Sequence, residues 1–458
     1  MLFFKLSVIL FFWDYIMNFG QNGAFAKALP ARADKMESPG YAYYFYYDLK
    51  TGSYPMKFAV VLCDGMADAP GAMPGGKTPM ELAEKPAMDR LAKNGEVGLV
   101  RTVPEGMSPG SDIANLTVLG YDTRECYTGR SPLEAANIGI ELKDDDVAFR
   151  CNLVTLSEDD NYSDKTLVDY CAGDIHTEPA DRIIRDIQSA FGGGEFDFYT
   201  GTAYRHCMVW HGGKTALGNL TPPHDITGRV IGSYLPLHPD AAPLLDMMRK
   251  SAGLLKDHPV NLSRADSGLN PANAIWLWGH GKRPRLQQYK HRFGVDGAVV
   301  SAVDLIKGIG RLAGMKVCEV DGATGYIDTD YEGKLNAALE EFRNGRDFVY
   351  IHIEAPDECG HRGEAQNKVK AIEEIDRRIL MPLADELGHM GDFRLMVLPD
   401  HPTPLSIRTH TDTPVPYLIY SNCGGAASGI SSFTESGAAE TGLFIDQGQA
   451  LIRRLFQQ

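Results

Sequence analysis

The sequence predicts an α/β fold in which a mostly parallel sheet is sandwiched by helices and interrupted by a smaller α+β insertion. Three observations lead there. Apolar runs at 58–62, Phe348–Ile353 and Phe393–Leu398 are short and continuous, as strands buried on both faces read. Helical spacing fills Tyr331–Arg343 and 369–387, and strands alternating with helices imply crossovers and parallel pairing. Between about 125 and 270 the chain turns to Gly, Thr, Pro and Tyr with short strands, a change that suits an inserted lid.

Taken in order, residues 1–55 stand apart. An apolar run at 6–13 is broken by Asp14, Ala24-Phe25-Ala26 has the look of a cleavage site, and 43–47 is aromatic without period. The run is too short to span a bilayer, so 1–55 reads as an upstream extension outside the fold. The strand 58–62 then ends in Cys63-Asp64-Gly65. Thr78-Pro79-Met80-Glu81 is a helix start, with Thr as cap, Pro in the first turn and Glu at the capping-box position. Its spacing restarts at Pro86 and ends at Asn94-Gly95. A glycine-bounded loop, 106–112, runs into a helix over 113–119 that Gly120 stops. The insertion carries a helix at 180–190 followed by Gly192-Gly193-Gly194.

The second α/β block is expected from about Asn273, opening with a strand at 274–278 that stops at Gly279-His280-Gly281. Helical spacing covers 298–312, strands follow at 316–320 and 417–420, and a closing helix is expected over 443–456. Blocks 56–124 and 271–458 share one chemistry, so they read as one domain split by the insertion 125–270.

Composition narrows the partners. A net charge of -15 argues against nucleic acid, and 44% hydrophobic with 23% charged residues fits a chain with large buried cores and no membrane span. Eight cysteines without a single C-x-x-C suit reduced thiols and a cytoplasmic setting. An acidic protein that handles anions must gather positive charge locally, from metals or arginines.

Hard and borderline metal ligands recur at strand ends: Asp64, then Asp357 and His361 four apart on a helical turn, then Asp400-His401, then His410. Each alone reads as a cap, a turn or coincidence; together they trail strands of one sheet. Three carboxylates and three histidines suit Mn²⁺ or Zn²⁺ better than Ca²⁺, and two such ions about 4 Å apart clamp a displacement at phosphorus. Ser111, before the helix at 113–119, is the candidate nucleophile, facing a helix N-terminus suited to phosphate. The plain alternative is that Ser111 only caps that helix, and Ser108 is a rival hydroxyl. Tyr204-Arg205-His206, Arg182, Arg264, Lys282-Arg283 and Arg285 are candidate anion contacts, with His176 and His224-Asp225 weaker ones.

These residues carry a resemblance. Leu62-Cys63-Asp64-Gly65-Met66-Ala67-Asp68, Pro109-Gly110-Ser111-Asp112-Ile113-Ala114-Asn115-Leu116, Tyr204-Arg205-His206, Pro223-His224-Asp225, Glu354-Ala355-Pro356-Asp357-Glu358-Cys359-Gly360-His361 and Pro399-Asp400-His401-Pro402-Thr403-Pro404 resemble the archaeal-type cofactor-independent phosphoglycerate mutases of the alkaline phosphatase superfamily, over 56 to about 422. The resemblance implies an alkaline-phosphatase-like fold and two divalent ions, Mn²⁺ before Zn²⁺, Co²⁺ or Mg²⁺, without 2,3-bisphosphoglycerate. One ion would rest on Asp357, His361 and His410, the other on Asp64, Asp400, His401 and the Ser111 oxygen. Ser111 would take the phosphoryl group of 3-phosphoglycerate and return it as 2-phosphoglycerate, a step of glycolysis and gluconeogenesis. Arg205, His206, Arg264, His176 and Asp112 would touch this small phosphorylated carboxylate. A related branch with the same motifs is proposed to phosphorylate homoserine, and a metal-dependent phosphatase is a third reading.

Overall fold

The computed structural model describes residues 56–457; the expected extension at 1–55 lies outside the described residues. Before the insertion come β1 (Lys57–Cys63) and β2 (Glu96–Val100). A second group follows: β3 (Val147–Leu156), β4 (Leu167–Asp169), β5 (Phe196–Thr202), β6 (Arg205–Trp210) and β7 (Ala274–Lys282). The chain then supplies β8 (Gly297–Val300), β9 (Lys316–Cys318), β10 (Phe348–Ile353), β11 (Phe393–Leu398), β12 (Val415–Ser421) and β13 (Phe444–Ile445).

The larger sheet has the order β13-β2-β12-β11-β1-β10-β8-β9. Only β12 runs against the rest, so the sheet is mostly parallel, with helices such as Pro86–Asn94 and Tyr331–Arg343 packed on it. Every residue of β1 and β10 is buried, which explains their unbroken apolar runs. The expected capping box is present: Thr78 accepts from the Glu81 N–H while Glu81 accepts from Thr78.

The smaller sheet joins β4, β3, β6 and β5 antiparallel, with β7 on the other side of β3. Here one expectation changes. The run at 274–278 does not open the second block; it pairs with β3 over Ala274↔Val154 to Lys282↔Val147. An apolar run signals a strand but not its partner, because pairing is a long-range choice.

Three further differences have local causes. The spacing at 298–312 divides into β8 and a helix, Asp304–Leu312; the β-branched run beside β10 prefers the sheet. The helix expected at 369–387 runs as Ala365–Ile375 and Met381–Met390, joined by π-helical Asp376–Leu380. Pro382 cannot donate to the turn before it, and Asp376 turns inward to accept from the Ala87 and Met88 N–H groups. The closing segment is helical only from Gly448, as a 3-10 turn at Gly448–Ala450 that runs into the α-helix Leu451–Leu455; Phe444–Ile445 adds a short strand beside β2. All eight cysteines are unpaired and only Cys423 is exposed. No helix among the described residues is long and apolar enough to cross a membrane.

The helix Ser131–Asn137 is clamped to Asp304–Leu312, Asn137 Nδ2 donating to Asp304 Oδ1 at 2.9 Å. A methyl group at Gly308 would lie 1.8 Å from the Leu133 carbonyl oxygen. We expect Gly308→Ala to lower the unfolding free energy by about 1–3 kcal/mol. Gly253→Ala, on an exposed helix face with nothing within 4 Å, should raise it by about 0.5–1 kcal/mol. Urea unfolding measures both, and equal shifts would contradict the packing described.

Candidate active site

β1 lies between β10 and β11, and the register sets Leu62 opposite both His352 and Leu398. The three carboxyl ends are therefore level. Asp64, the helix Ala355–Arg362, and Asp400 with His401 emerge side by side along one edge, where open parallel sheets bind ligands.

On that helix, four-residue spacing turns Asp357 and His361 the same way, with His361 Nε2 3.2 Å from Asp357 Oδ2. His410 enters from the loop after β11, its Nε2 2.9 Å from His361 Nε2 and 3.4 Å from Asp357 Oδ1. Arg408, in the left-handed region at φ 56°, aims its carbonyl at His361 Nδ1, 3.0 Å away. In the neighbouring group, His401 Nε2 lies 3.4 Å from Asp400 Oδ2 and 3.7 Å from Asp64 Oδ1. The Ser111 hydroxyl sits 3.1 Å from the same Nε2. Asp64, Asp400 and His401 form one candidate ligand triplet; Asp357, His401 and His410 form another. His401 thus stands within reach of both.

Burial dominates the electrostatics. It pushes the Asp64 carboxyl well up, and the neighbouring Asp400 and Asp357 carboxylates push it further. Burial also raises Asp357, but hydrogen bonds from His361 and His410 outweigh it and hold that carboxyl well below its ordinary range. Burial pulls His361 down, yet the Asp357 carboxylate lifts it to about 9. His401 is lowered by burial. Behind Asp64, His352 is taken to about 3 by burial, and its Nε2–H donates to Asp64 Oδ2 at 2.8 Å.

The residues fit divalent cations. Asp64 Oδ1 is buried with no hydrogen-bond donor, and Asp64, Asp357 and Asp400 are all buried acids in one cluster. Buried carboxylates need compensating positive charge, and convergent O and N acceptors are what Mn²⁺ or Zn²⁺ takes. Neighbours hold these acceptors in place. Asn115 Nδ2 donates to Asp400 Oδ2 at 2.9 Å and to the Ser111 carbonyl at 2.8 Å, while the Tyr350 hydroxyl donates to Asn115 Oδ1. The Gly65 N–H donates to Asp400 Oδ1 at 3.2 Å. Gly65 has φ 61°, and a Cβ there would lie 2.5 Å from Asp357 Oδ1, so the Cys63-Asp64-Gly65 turn admits only glycine at its third position.

Ser111 is the first residue of the helix Ser111–Val118; Gly110 takes the cap position, without a side-chain bond. The plain alternative, that Ser111 caps the helix, therefore fails. Ser108 is exposed, three residues upstream.

A cavity of about 330 Å³ lies on the far side of the Asp357 helix turn, and neither Ser111 nor any of the six metal-ligand candidates lines it. Glu354 and Glu358, from the turn and helix that bear Asp357, line it together with Arg130, Arg150, Arg205 and Arg362. Arg150 is buried in β3; its NH1 lies 3.2 Å from Glu134 Oε1, its carbon stacks 4.7 Å from the Trp278 ring, and its Nε is unpartnered. Burial lowers this guanidinium to about 10, against the pull of Glu134. Arg205 lies over the Tyr204 ring, and buried His206 lines the cavity with an unpartnered Nε2. Burial brings that imidazole to about 3.

Other expected contacts are placed elsewhere. Arg264 does not line this cavity; its guanidinium donates to the Asn270 and Ala172 carbonyls and ties down their loops. His176 is exposed before the helix Thr177–Phe191. Asp112 accepts from the Ile113 N–H and the Tyr127 hydroxyl. Arg182 pairs with Glu178 on an exposed face, Arg283 donates to the Leu142 carbonyl, and Arg285 faces Asp144 in solvent. His224 stacks edgewise on Trp278 and Tyr170. Arg130, Arg150, Arg362 and Asn115 were not singled out from the sequence. Arg150 alone left a trace there, as a lone charge within an apolar run.

The chain is similar to known proteins over most of its length. A family model described as 2,3-bisphosphoglycerate-independent phosphoglycerate mutase matches residues 92–261. A Geobacter sulfurreducens protein named as a probable enzyme of that kind is 49% identical over 405 residues, 88% of this chain and 100% of that one. A Methanosarcina barkeri protein of the same name is 46% identical, covering 87% and 98%. Among solved structures, a Pyrococcus horikoshii protein matches with TM-score 0.71 at 27% identity, covering 88% of this chain and 96% of that one. The cofactor-independent phosphoglycerate mutase of Thermoplasma acidophilum matches with TM-score 0.59 at 26% identity, covering 88% and 99%. The chain belongs to the 2,3-bisphosphoglycerate-independent phosphoglycerate mutase family.

Proposed function

We propose that the chain interconverts 3-phosphoglycerate and 2-phosphoglycerate through a phosphoserine at Ser111. The observation that carries this is the Ser111 hydroxyl 3.1 Å from His401 Nε2, beside two acceptor clusters that share that histidine. Asp64, Asp400, His401 and the Ser111 oxygen would hold one divalent ion, and Asp357, His361 and His410 the other. When bound, the ions supply the positive charge that neutralises the transferring phosphoryl group and lowers the serine pKa.

The chain's own groups account for the rest. Ser111 Oγ, at the N-terminus of its helix, gives up its proton and forms the bond to phosphorus as the bond to the 3-oxygen breaks, and that oxygen takes up a proton. Glycerate keeps its place in the arginine-lined cavity and turns. Its 2-hydroxyl then gives up its proton and forms the new bond to phosphorus as the bond to Ser111 Oγ breaks, and the serine oxygen takes a proton back. Arg150 and Arg205 are suited to the carboxylate or phosphate by bidentate bonding. The smaller sheet acts as the lid that keeps water from the phosphoserine, since an open site would hydrolyse it. The family relatives carry the mutase name, which favours this reading over the homoserine kinase and phosphatase alternatives.

The full-length protein with Mn²⁺ should interconvert the two phosphoglycerates without 2,3-bisphosphoglycerate. Chelation should abolish the activity and Mn²⁺ restore it, while Ser111→Ala should lose both activity and a phosphorylated peptide spanning residue 111. ATP-dependent phosphorylation of homoserine without mutase activity would overturn the assignment. Arg205→Ala should raise KM about tenfold to a hundredfold, the cost of one charge-assisted bond; an unchanged KM in steady-state assays would remove Arg205 from the substrate site.

A further inference from the structure

Thr403 belongs to neither acceptor cluster but touches both. Its hydroxyl donates to Asp357 Oδ1, and the same oxygen lies 3.4 Å from His401 Nδ1. A hydroxyl has one proton, and an ionised carboxylate only accepts. With that proton committed to Asp357, Thr403 Oγ1 accepts from His401 Nδ1–H. The Nε2 lone pair then points to Ser111, Asp64 and Asp400, the nitrogen that a cation would need.

The residue is fixed from behind. Lys368 Nζ donates to the Thr403 carbonyl at 2.8 Å, to the Ala67 carbonyl at 3.2 Å and to Asp68 Oδ2 at 2.8 Å, with Lys368 and Asp68 side chains wholly buried. Asp68 also accepts from the Leu405 N–H, and Thr403 N donates to the Ala67 carbonyl at 3.2 Å. The loop after β1 and the loop after β11 are thus tied together by one buried ammonium. Two glycines admit Thr403 to its place. A Cβ at Gly65 would lie 2.6 Å from Thr403 Oγ1, and one at Gly360 would lie 2.6 Å from its carbonyl oxygen.

We propose that Thr403, anchored by the buried Lys368–Asp68 pair, is the positioning residue that couples the two cation sites, by fixing Asp357 in one and the tautomer of His401 in the other. The proposal rests on the two-cation reading of the site. Outer hydrogen-bond partners of this kind typically change metal affinity about tenfold to a hundredfold.

The test is isothermal titration of the metal-stripped full-length protein with Mn²⁺, with thermal unfolding of each metal-free variant as a control. The wild-type chain should bind two ions. Thr403→Val, which keeps the shape and removes the hydroxyl, should weaken both by about tenfold to a hundredfold, and Thr403→Ser should restore wild-type binding. The double variant Asp68→Asn with Lys368→Met leaves no unpaired buried charge, so it should remain folded and weaken Mn²⁺ in the same direction even where Thr403→Val does not fold. Two ions bound by Thr403→Val as tightly as by wild type would overturn the coupling role. A wild-type chain that binds no Mn²⁺ would instead remove the reading on which it rests.

Discussion

Parallel pairing of β1 with both β10 and β11 is the constraint from which the site follows. Leu62 faces His352 on one side and Leu398 on the other. A slip of one residue in either ladder would turn every side chain of that strand to the opposite face and withdraw one set of acceptors from the edge. The all-buried β1 and β10 therefore do more than supply core. They fix, to within a residue, where Asp64, Asp357, Asp400 and His401 leave the sheet.

Gathering those acids has a cost that the surrounding structure offsets locally. Carboxylates wholly removed from water repel one another and their own burial, and Asp64 bears this most openly, with one oxygen lacking any donor. Asn115, Gly65 and His352 donate to the remaining oxygens. The arginine-lined cavity provides the opposite charge further out, where an anionic substrate would replace water. Glu134, Asp304, Glu354 and Glu358 line the same cavity as Arg130, Arg150, Arg205 and Arg362, so in a chain of net charge -15 an anion would meet individual guanidinium groups rather than a positive field.

What could be read beforehand followed how local its cause is. Tyr331–Arg343, Phe348–Ile353 and Phe393–Leu398 were legible because spacing and β-branching act within a few residues. The partner of β7 was not, because nothing within that strand specifies β3 over β8. The six metal-ligand candidates and Ser111 were legible as strand-end residues and by resemblance, and the structure brings them together. The substrate contacts divided. Arg205 and His206 reach the cavity, while Arg264, equally basic in sequence, is bound to backbone carbonyls. Arg130 and Arg150 escaped notice because residue type does not say which arginine reaches the cavity, and burial does not decide it either: Arg205 is exposed and reaches it, while Arg264 is buried and does not; the whole fold sets where each is carried.

The proposed chemistry requires two cations side by side, next to the oxygen of Ser111. Anomalous diffraction from crystals of the full-length protein grown with Mn²⁺ tests it most directly. Two peaks are expected about 4 Å apart, one among Asp64, Asp400, His401 and the Ser111 oxygen, the other among Asp357, His361 and His410. A single peak remote from Ser111, or peaks on other side chains, would contradict it.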